Sequence, residues 1–283
     1  MAEGLDPRLT PARPDLAAAH LEGVVAAARY AAARRMVCAT PTAPLTARPE
    51  ADAPMTSELL LGEGFDVYEA TPGWLWGQSA RDGYVGYAPD SCFAAPGPEP
   101  THQVSALLAH LYPAPDLKTR PVGAAPMGAR LALGEAENGF LAVSGGAWIW
   151  ARHVAPLGAA CDWVAMAERF IGAPYLWGGR TAAGLDCSGL IQTARFAAAL
   201  PCPRDSDMQA AAPGRDVTRL RRGDLVFWKG HVGVMLSPTR LLHANAHHMA
   251  VVAEPLADAE ARIAAAEGGP PTARRRWSVA PPS

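Results

Sequence analysis

The chain has 283 residues, and its 25 lysines and arginines against 27 aspartates and glutamates give a formal net charge of −2. This near-neutral balance excludes a generally basic protein that coats nucleic acid, so no nucleic-acid partner is expected. Hydrophobic residues make up 49% of the chain and charged residues 18%, which is typical of globular proteins. The 27 glycines and 27 prolines indicate many tight turns, and therefore short strands with few helices.

The first 36 residues predict an N-terminal helical arm. Residues 16–36 are rich in alanine, and the prolines from Pro41 onward end that composition. The first fifteen residues lack the basic start and apolar run of a secretory signal. His20 and the charged residues within 16–36 would be unfavourable in a bilayer. We therefore expect a cytoplasmic protein with no membrane partner.

Two stretches share one succession of short strands and turns. In residues 59–90, and again in 127–157, a strand is followed by a glycine turn, an aromatic strand, a second turn and a glycine-aromatic strand. This repeat predicts two small barrels, at residues 37–96 and 97–157. The succession resembles bacterial SH3-like domains, with a degenerate second copy.

The remaining residues, 158–283, predict a domain that contains both helices and strands. Helices are expected at 159–171 and 185–200, and strands at 225–228, 231–236 and 240–245. Asp224 is expected to fix the turn before the second of these strands. Beyond residue 258 we expect a short helix and a tail, in which Arg274–Arg276 are solvated.

Cys187 is the strongest chemical signal in the chain. It lies at the predicted start of a helix, where unpaired N–H groups and the helix dipole can lower a thiol pKa from about 8.5 to roughly 3.5–7.5. The same N–H groups could receive the oxyanion of a tetrahedral intermediate. A lone intracellular cysteine is more often buried and inert. The other cysteines are interpreted as structural: Cys38, Cys92, Cys161 and Cys202.

Two histidines downstream can complete a nucleophilic site. His231 begins a predicted strand, the chain turns near Ser237, and His243 lies on the returning strand. A hairpin centred at residue 237 places His231 directly opposite His243, whereas a centre one or two residues later shifts this register. His231 is the candidate base, and His243 would hold its second ring nitrogen.

A metal site is the weaker interpretation of the histidines near this hairpin. His247 and His248 follow His243 closely, but no carboxylate or cysteine stands at ligand spacing. The odd number of cysteines without a CxxC pair also argues against a zinc knuckle or a disulfide framework. No metal and no other cofactor is expected.

Five short motifs around these residues follow one another in a specific order. They are Pro174–Gly179 (PYLWGG), Asp186–Gly189 (DCSG), Arg222–Phe227 (RGDLVF), Gly230–Gly233 (GHVG) and Leu242–Ala244 (LHA). Together they resemble the NlpC-type, papain-like cell-wall cysteine peptidases. The resemblance implies an α+β architecture with a papain-like catalytic domain after the two SH3-like barrels and the helical arm.

The resemblance also implies roles for individual residues. It makes Cys187 the nucleophile, His231 the general base and His243 the orienting residue. It places Tyr175 beside the nucleophile, where it would help an oxyanion site or act only in packing. Among the residues flanking the nucleophile, it implies substrate contacts for Asp186 and Ser188.

The arrangement further resembles a subgroup of γ-D-glutamyl-L-diamino-acid peptidases that act as dipeptidyl-peptidases on free murein peptides. That subgroup carries an Arg-Asp-Ser-x-x-Gln pattern, which residues 204–209 match. The resemblance implies that Asp205 and Ser206 hold the free α-amine of an N-terminal L-alanine, since a buried ammonium requires a carboxylate and further acceptors. The alternative is that one of them caps a helix.

The first SH3-like module of that subgroup closes one side of the cleft and adds an acidic residue to the amine site. Glu58 and Glu63 are the acidic candidates here, and Tyr84 or Tyr87 could line the wall. Taken singly, each of these four residues is more often an ordinary surface or core residue.

The resulting expectation is a cytoplasmic cysteine peptidase that acts through a thioester. It would release L-Ala-γ-D-Glu from a small murein peptide with a free N-terminal L-Ala, in cell-wall recycling. One alternative is an endopeptidase on polymeric peptidoglycan, and another is a catalytically silent protein that binds murein peptides. The diamino acid that is accepted stays open.

Overall fold

The computed structural model describes residues 4–266 and 268–277. The chain divides into two compact units, Met1–Ala155 and Pro156–Ser283. All five cysteines lie in the described residues and are free thiols. In the described parts of the chain, no helix is long and apolar enough to cross a membrane.

The first unit is built from short strands and 3-10 turns. The strands are β1 Ala17–Ala18, β2 Tyr30–Ala31, β3 Arg34–Cys38, β4 Thr42–Thr46, β5 Met55–Leu60, β6 Gly64–Thr71, β7 Trp74–Ser79, β8 Val85–Pro89, β9 Phe93–Ala94, β10 His102–Val104, β11 Leu108–Tyr112, β12 Gly123–Pro126, β13 Arg130–Leu131, β14 Leu133–Glu137, β15 Phe140–Val143, β16 Ala147–Trp150 and β17 Val154–Pro156. The 3-10 turns are Ala19–Leu21, Asp90–Cys92 and Ala151–His153.

These strands form two successive sheet systems. The first sheet has the order β5-β4-β8-β7-β6-β3-β9. The second system combines the sheet β12-β11-β16-β15-β14 with the sheet β13-β10-β17. Gly62 lies where the two systems meet, because a Cβ there would be 1.8 Å from the Arg130 carbonyl oxygen. Only a glycine permits this approach, which the hydrogen bond from Arg130 N–H to Leu61 carbonyl at 2.8 Å maintains.

The two aligned stretches fold into the same succession. β6, β7 and β8 are followed by a 3-10 turn, as are β14, β15 and β16. Gly73 and Gly139 occupy equivalent turns, each with a φ of +81°. The domain boundaries predicted from the sequence stay predictions, and β3 already joins the first sheet at Arg34.

The helical arm predicted for the first 36 residues is wrong. Ala17–Ala18 pairs with Tyr30–Ala31, and β3 pairs with β6 and β9 of the first sheet. Arg13 anchors the preceding segment, because its guanidinium lies 4.3 Å from the Trp76 ring centre and donates to the Tyr87 hydroxyl. Helix propensity is a weak preference, and burial with strand pairing outweighs the alanine content here.

The second unit combines helices with one principal antiparallel sheet. Its elements are α1 Trp163–Glu168, β18 Arg180–Thr181, β19 Gly184–Leu185, α2 Cys187–Ala197, α3 Ser206–Ala211, β20 Gly214–Asp216, β21 Leu225–Trp228, β22 His231–Met235, β23 Arg240–Asn245, β24 Ala250–Pro255, α4 Leu256–Ala265 and β25 Ala273–Trp277. The principal sheet has the order β20-β25-β21-β22-β23-β24. This unit therefore has the expected mixture of helices and strands, with shorter helices than predicted.

Burial on both helices fixes the layers of the second unit. Every residue of α2 is buried. On α4, Leu256 and Ala259 pack in one apolar cluster with Val226, Met235 and Leu241 of the sheet. These contacts hold the hairpin of β22 and β23 in one position, which a precise reactive site requires.

The solvated tail predicted for Arg274–Arg276 is also wrong. These arginines belong to β25, which pairs with β21 on one side and β20 on the other. Arg276 forms two hydrogen bonds to the buried Asp224 carboxylate, at 2.6 and 2.7 Å. The positive charges therefore have partners within the unit. Asp224 also accepts from the Arg221 N–H at 2.8 Å and so fixes the turn before β21. The turn expected from the sequence was the later one that enters the His231 strand, so that part of the prediction is wrong.

Candidate active site

The start of α2 is organised by the carboxylate of Asp186. One oxygen, Oδ1, accepts from the Gly189 N–H at 2.6 Å, and Oδ2 accepts from the Gly178 N–H at 2.9 Å. Asp186 is therefore the N-cap of α2 and ties the preceding loop to the helix. This capping makes Cys187 the first residue of the helix.

Arg204 neutralises this buried carboxylate. Its two terminal nitrogens lie 3.0 and 2.6 Å from the two Asp186 oxygens, and its side chain is 1% exposed. The same guanidinium donates to the Ser188 hydroxyl at 3.0 Å, and that hydroxyl contacts Asp186 at 3.2 Å. Asp186 and Ser188 thus have a clear structural role, while their contact with substrate stays a prediction.

The sulfur of Cys187 contacts the backbone on both sides of His231, the first residue of β22. This sulfur is 4.0 Å from the Gly230 carbonyl oxygen and interacts with the Val232 N–H. Burial raises the pKa of the thiol to about 12, and the Asp186 carboxylate adds to the rise. The lowered pKa predicted for this helix-start cysteine is therefore wrong, because desolvation outweighs the N–H groups.

His231 and His243 form a hydrogen-bonded pair. His231 Nε2 lies 2.8 Å from His243 Nδ1. The hairpin pairs Val234 with Leu242 and Met235 with Leu241, so its register is two residues away from the direct opposition expected. The histidines are diagonal neighbours, and they still share a face because an even shift preserves side-chain alternation.

Glu254 extends the pair and was not identified from the sequence. Its Oε1 lies 2.6 Å from His243 Nε2, and Arg262 of α4 binds the same carboxylate at 2.6 and 2.8 Å. In the sheet, His243 pairs with Val252, which makes Glu254 a diagonal neighbour. One sequence signal could have identified it. Glu254 is a carboxylate on the strand after His243, two residues beyond Val252, which pairs with His243.

This contact determines which ring nitrogens carry protons. The Arg262 hydrogen bonds lower the pKa of Glu254 to about 2, so its carboxylate accepts a proton from His243 Nε2. Burial lowers the pKa of His243, and the neutral ring then accepts through Nδ1. His231 must donate through Nε2, which leaves its Nδ1 without a proton. Burial lowers the pKa of His231 to about 3, so the resting ring is neutral.

Tyr175 lies in the same electrostatic environment. Burial raises the pKa of its phenol to about 12, and the nearby Asp186 carboxylate adds to the rise. A bridge between Tyr175 and Leu185 holds its backbone beside the loop that precedes Cys187. The phenol therefore keeps its proton and can donate a hydrogen bond.

Residues 204–209 are attached directly to the nucleophile helix. Gln209 Nε2 donates to the Ser188 carbonyl at 3.0 Å and to the Pro203 carbonyl at 2.9 Å. Arg204 binds the Asp186 carboxylate, and Gln209 binds the backbone of the nucleophile helix. These contacts explain the first and last residues of the Arg-Asp-Ser-x-x-Gln pattern. Asp205 is the N-cap residue of α3, but its side chain makes no capping hydrogen bond. The capping alternative for Asp205 is therefore not observed.

The two glutamates and two tyrosines predicted to line the substrate cleft are buried or hydrogen-bonded within the first unit. Glu63 is buried, accepts from the Leu60 N–H at 3.0 Å and lies 4.0 Å from Arg81. Glu58 and Tyr84 are buried, and the Tyr87 hydroxyl accepts from Arg13. A substrate contact for any of these four residues stays a prediction.

His247 and His248, the two histidines that follow β23, contact each other. The His247 and His248 rings are 4.7 Å apart, centre to centre. Within residues 4–266 and 268–277, no group of three or more His, Cys, Asp or Glu side chains is arranged to hold a metal ion.

Replacing Arg204 with methionine should destabilise the second unit strongly. The variant leaves the Asp186 carboxylate buried without its cation, which costs about 3–5 kcal/mol in the free energy of unfolding. Urea unfolding followed by tryptophan fluorescence measures this loss. Arg222→Ala is the matched control, because its pairs with Asp162 and Glu168 are solvent-exposed and contribute about 0–1 kcal/mol. Equal losses in the two variants would contradict the assignment.

Alkylation of Cys187 in the free protein should rise continuously with pH. Since its pKa is about 12 and that of His231 about 3, the thiolate fraction grows about tenfold per pH unit between pH 5 and 9. Mass spectrometry of the Cys187 peptide after iodoacetamide treatment gives the rate, with Cys187→Ser as the background. A rate plateau that begins below pH 7 would instead reveal a preformed thiolate and imidazolium.

Comparisons with known proteins match two stretches of the chain to family models. Residues 172–261 match the NlpC/P60 family, and residues 45–92 match the bacterial dipeptidyl-peptidase Sh3 domain. A solved NlpC/P60 family protein from Bacillus cereus superposes with a TM-score of 0.73 at 20% identity, covering 86% of this chain and 99% of that one. This similarity shows a shared fold.

Curated relatives have modest identity. The chain is 26% identical over 235 residues to the gamma-D-glutamyl-L-lysine dipeptidyl-peptidase of Bacillus cereus, covering 71% of each protein. It is 37% identical over 84 residues to dipeptidyl-peptidase 6 of Lysinibacillus sphaericus, covering 29% of this chain and only 31% of that relative. Its match to the gamma-D-glutamyl-L-lysine dipeptidyl-peptidase of Bacillus subtilis is 34% identical and covers 38% of this chain and 42% of that relative. The chain thus carries a peptidase domain of the NlpC/P60 family behind a bacterial dipeptidyl-peptidase Sh3 domain.

Proposed function

We propose that the chain is a cysteine peptidase that cleaves the γ-D-glutamyl to L-diamino-acid bond of free murein peptides and releases L-Ala-γ-D-Glu. The observation that carries this proposal is the hydrogen-bonded series Glu254, His243 and His231 beside Cys187 at a buried helix start. A nucleophile, a base and an orienting group are the parts that nucleophilic acyl transfer requires.

The reaction begins from a neutral thiol and a neutral imidazole. As the sulfur of Cys187 attacks the γ-carbonyl carbon, its proton passes to the free Nδ1 of His231. N–H groups in the first turn of α2 and the protonated phenol of Tyr175 donate to the oxyanion. When the carbon–nitrogen bond breaks, His231 returns the proton to the leaving amine, and a thioester remains.

The second half of the reaction reverses these roles. His231 takes a proton from a water molecule as that water attacks the thioester carbon. The carbon–sulfur bond breaks, the carboxylic acid product leaves and Cys187 regains a proton. In both halves His231 becomes transiently cationic, and the Glu254 carboxylate stabilises that charge through His243.

Recognition of a free amine is the basis for proposing a dipeptidyl-peptidase. Asp205 and Ser206 lie between Arg204 and Gln209, which hold this segment against the nucleophile helix. A carboxylate and the neighbouring Ser206 hydroxyl would bind an ammonium and would leave an acetylated nitrogen unpaired. Two of the relatives are named gamma-D-glutamyl-L-lysine dipeptidyl-peptidases, which supports the same specificity.

Two other functions lead to different results. An endopeptidase on polymeric peptidoglycan would accept a blocked amine, and a catalytically silent protein would bind the peptide without cutting it. A role in peptide recycling in the cytoplasm follows from the preference for released peptides and is part of the proposal. Cell fractionation with an antibody to the chain tests that location.

Incubation with defined peptides should separate these functions. The substrates are L-Ala-γ-D-Glu peptides that carry either meso-diaminopimelate or L-lysine at the third position. We expect wild-type protein to cut at least one of these two peptides measurably. The N-acetylated forms should be cut at least about 100-fold more slowly, because an acetylated nitrogen carries no charge for the Asp205 carboxylate to bind. Mass spectrometry detects the released dipeptide.

Two variants complete this experiment. Cys187→Ala should abolish cleavage, and Asp205→Asn should remove most of the discrimination against the acetylated peptide. Equal cleavage of free and acetylated peptides by wild type would favour an endopeptidase. Binding without cleavage, seen by calorimetry, would favour the silent binding protein.

Glu254→Gln should lower kcat while changing KM little. The amide can donate to His243 Nε2, which reverses the proton order along the series and leaves His231 with a protonated Nδ1. Loss of the correct tautomer costs on the order of 10²-fold or more in rate. Steady-state kinetics on the free peptide measures this effect. Glu260→Gln, which affects the half-buried pair with Arg274 on the same helix, is the control and should keep wild-type kcat.

A further inference from the structure

A cavity of the second unit lies at the opposite end of α2 from Cys187. Its volume is about 410 Å³, and its wall is formed by the start of α1, the end of α2, the turn before β21 and the end of β25. Arg195 in the last turn of α2 is part of this wall, whereas Cys187, His231 and His243 are not. The eight residues from Cys187 to Arg195 span about 12 Å of helix. The cavity is therefore separate from the reactive site.

Arg195 places a buried positive charge on this wall. The residue is 4% exposed, and its Nε donates to the Pro201 carbonyl at 3.1 Å. Within the described part of the chain, its two terminal nitrogens have no hydrogen-bond partner, and no carboxylate forms an ion pair with them. These nitrogens are not fully enclosed, so a ligand can still reach them. Burial lowers the pKa of Arg195, as expected for a cation that no neighbouring carboxylate compensates.

Two indole rings lie against this guanidinium. Its central carbon is 4.7 Å from the Trp277 ring centre and 5.5 Å from the Trp163 ring centre. These cation–π contacts restrict the position of the charged group. The N–H groups of a guanidinium lie in its plane and match the two oxygens of a carboxylate. The terminal nitrogens of Arg195 are thus held in place for a ligand of that shape.

The other charged groups of the wall leave an excess of positive charge. Among the described residues, four arginines and two aspartates line the cavity. Arg276 binds the Asp224 carboxylate, and Arg222 binds that of Asp162. Neither carboxylate is therefore available to neutralise the buried guanidinium. The exposed Arg221 adds a further charge, and its side chain has no acidic partner in the described chain. The cavity therefore favours an anion.

Apolar side chains form much of the remaining wall. They belong to Val164, Ala198, Ala199 and Leu200, beside the two indole rings. Sites for small molecules are mostly apolar, with a few polar groups that fix the orientation of the ligand. The volume of 410 Å³ also lies in their usual range of roughly 300–1,000 Å³. The wall therefore suits a ligand that has an apolar body and one negatively charged end.

We propose that this cavity binds a small organic acid, whose carboxylate accepts hydrogen bonds from the terminal nitrogens of Arg195 and whose apolar part packs against the indole rings. A carboxylate would supply the counter-charge that the buried guanidinium lacks. The inference does not depend on the proposed peptidase function. It adds a second ligand site to the same unit.

Three small molecules test this assignment on the wild-type protein. They are sodium hexanoate, sodium acetate and the neutral hexanamide, each titrated at constant ionic strength and followed by calorimetry. Hexanoate should bind at least about tenfold more tightly than acetate, because more methylene groups are buried. It should also bind at least about tenfold more tightly than hexanamide, which has no charge to pair with the guanidinium. Absence of saturable hexanoate binding, or equal affinities for hexanoate and hexanamide, overturns the inference.

A charge substitution tests Arg195 itself. Arg195→Gln removes the positive charge and the paired N–H groups, so the affinity for hexanoate should fall by about tenfold or more. Arg215→Gln is the matched control, because it removes the same charge from an exposed residue of β20 outside the cavity. That variant should bind hexanoate as wild type does. Equal affinities of the two variants would contradict the role of Arg195.

Cys161 reports on the cavity in the wild-type protein, which keeps the inference testable even where Arg195→Gln does not fold. Its thiol is exposed and lines the cavity. Hexanoate at about ten times its Kd should slow the alkylation of Cys161 by iodoacetamide about tenfold, because the occupied cavity excludes the reagent. Cys92 in the first unit should react at an unchanged rate. Mass spectrometry of the two cysteine peptides measures both rates, and unchanged alkylation of Cys161 overturns the inference.

Discussion

The buried carboxylate of Asp186 is the interaction on which the reactive site depends. It joins the Gly178 loop, the first turn of α2 and the Arg204 segment through short hydrogen bonds. These backbones approach so closely that a Cβ on Gly189 would lie 2.2 Å from the Gly179 carbonyl oxygen. A buried charge requires all of its donors at once, so these segments must fold around it together. The position of the next residue, Cys187, follows from this requirement.

The burial that positions Cys187 also opposes its ionisation. It raises the pKa of the thiol to about 12 and lowers the pKa of His231 to about 3, so the resting pair is neutral. The compensating charge lies farther away, on Glu254, and acts through His243. In the free protein this carboxylate does not outweigh the effect of burial on the His231 pKa, but it stabilises the proton that His231 gains as the thiol attacks. The site therefore holds no thiolate–imidazolium pair in the free protein, and its carboxylate stabilises the imidazolium that forms during the reaction.

The sequence predicted the parts of the site that depend on local pattern. A cysteine at a helix start and two histidines on one hairpin follow from alternation and turn residues alone. The alanine-rich residues 16–36 were assigned wrongly because pairing with the first sheet outweighs helix propensity. Arg274–Arg276 were assigned wrongly because their acidic partners are distant in the sequence. Glu254 was missed for the same reason, since only the pairing of β23 with β24 brings it to His243.

Side-chain alternation on the sheet places the orienting residue, His243, on the same face as the residues that pack against α4. His243 and Asn245 share the face of β23 on which Leu241 packs against α4, since residues two apart point the same way. The same helix supplies Arg262, which fixes the Glu254 carboxylate. Cys187, in contrast, is positioned by α2 and its cap. Changes on α4 can therefore alter the orientation of the base while the nucleophile stays in place.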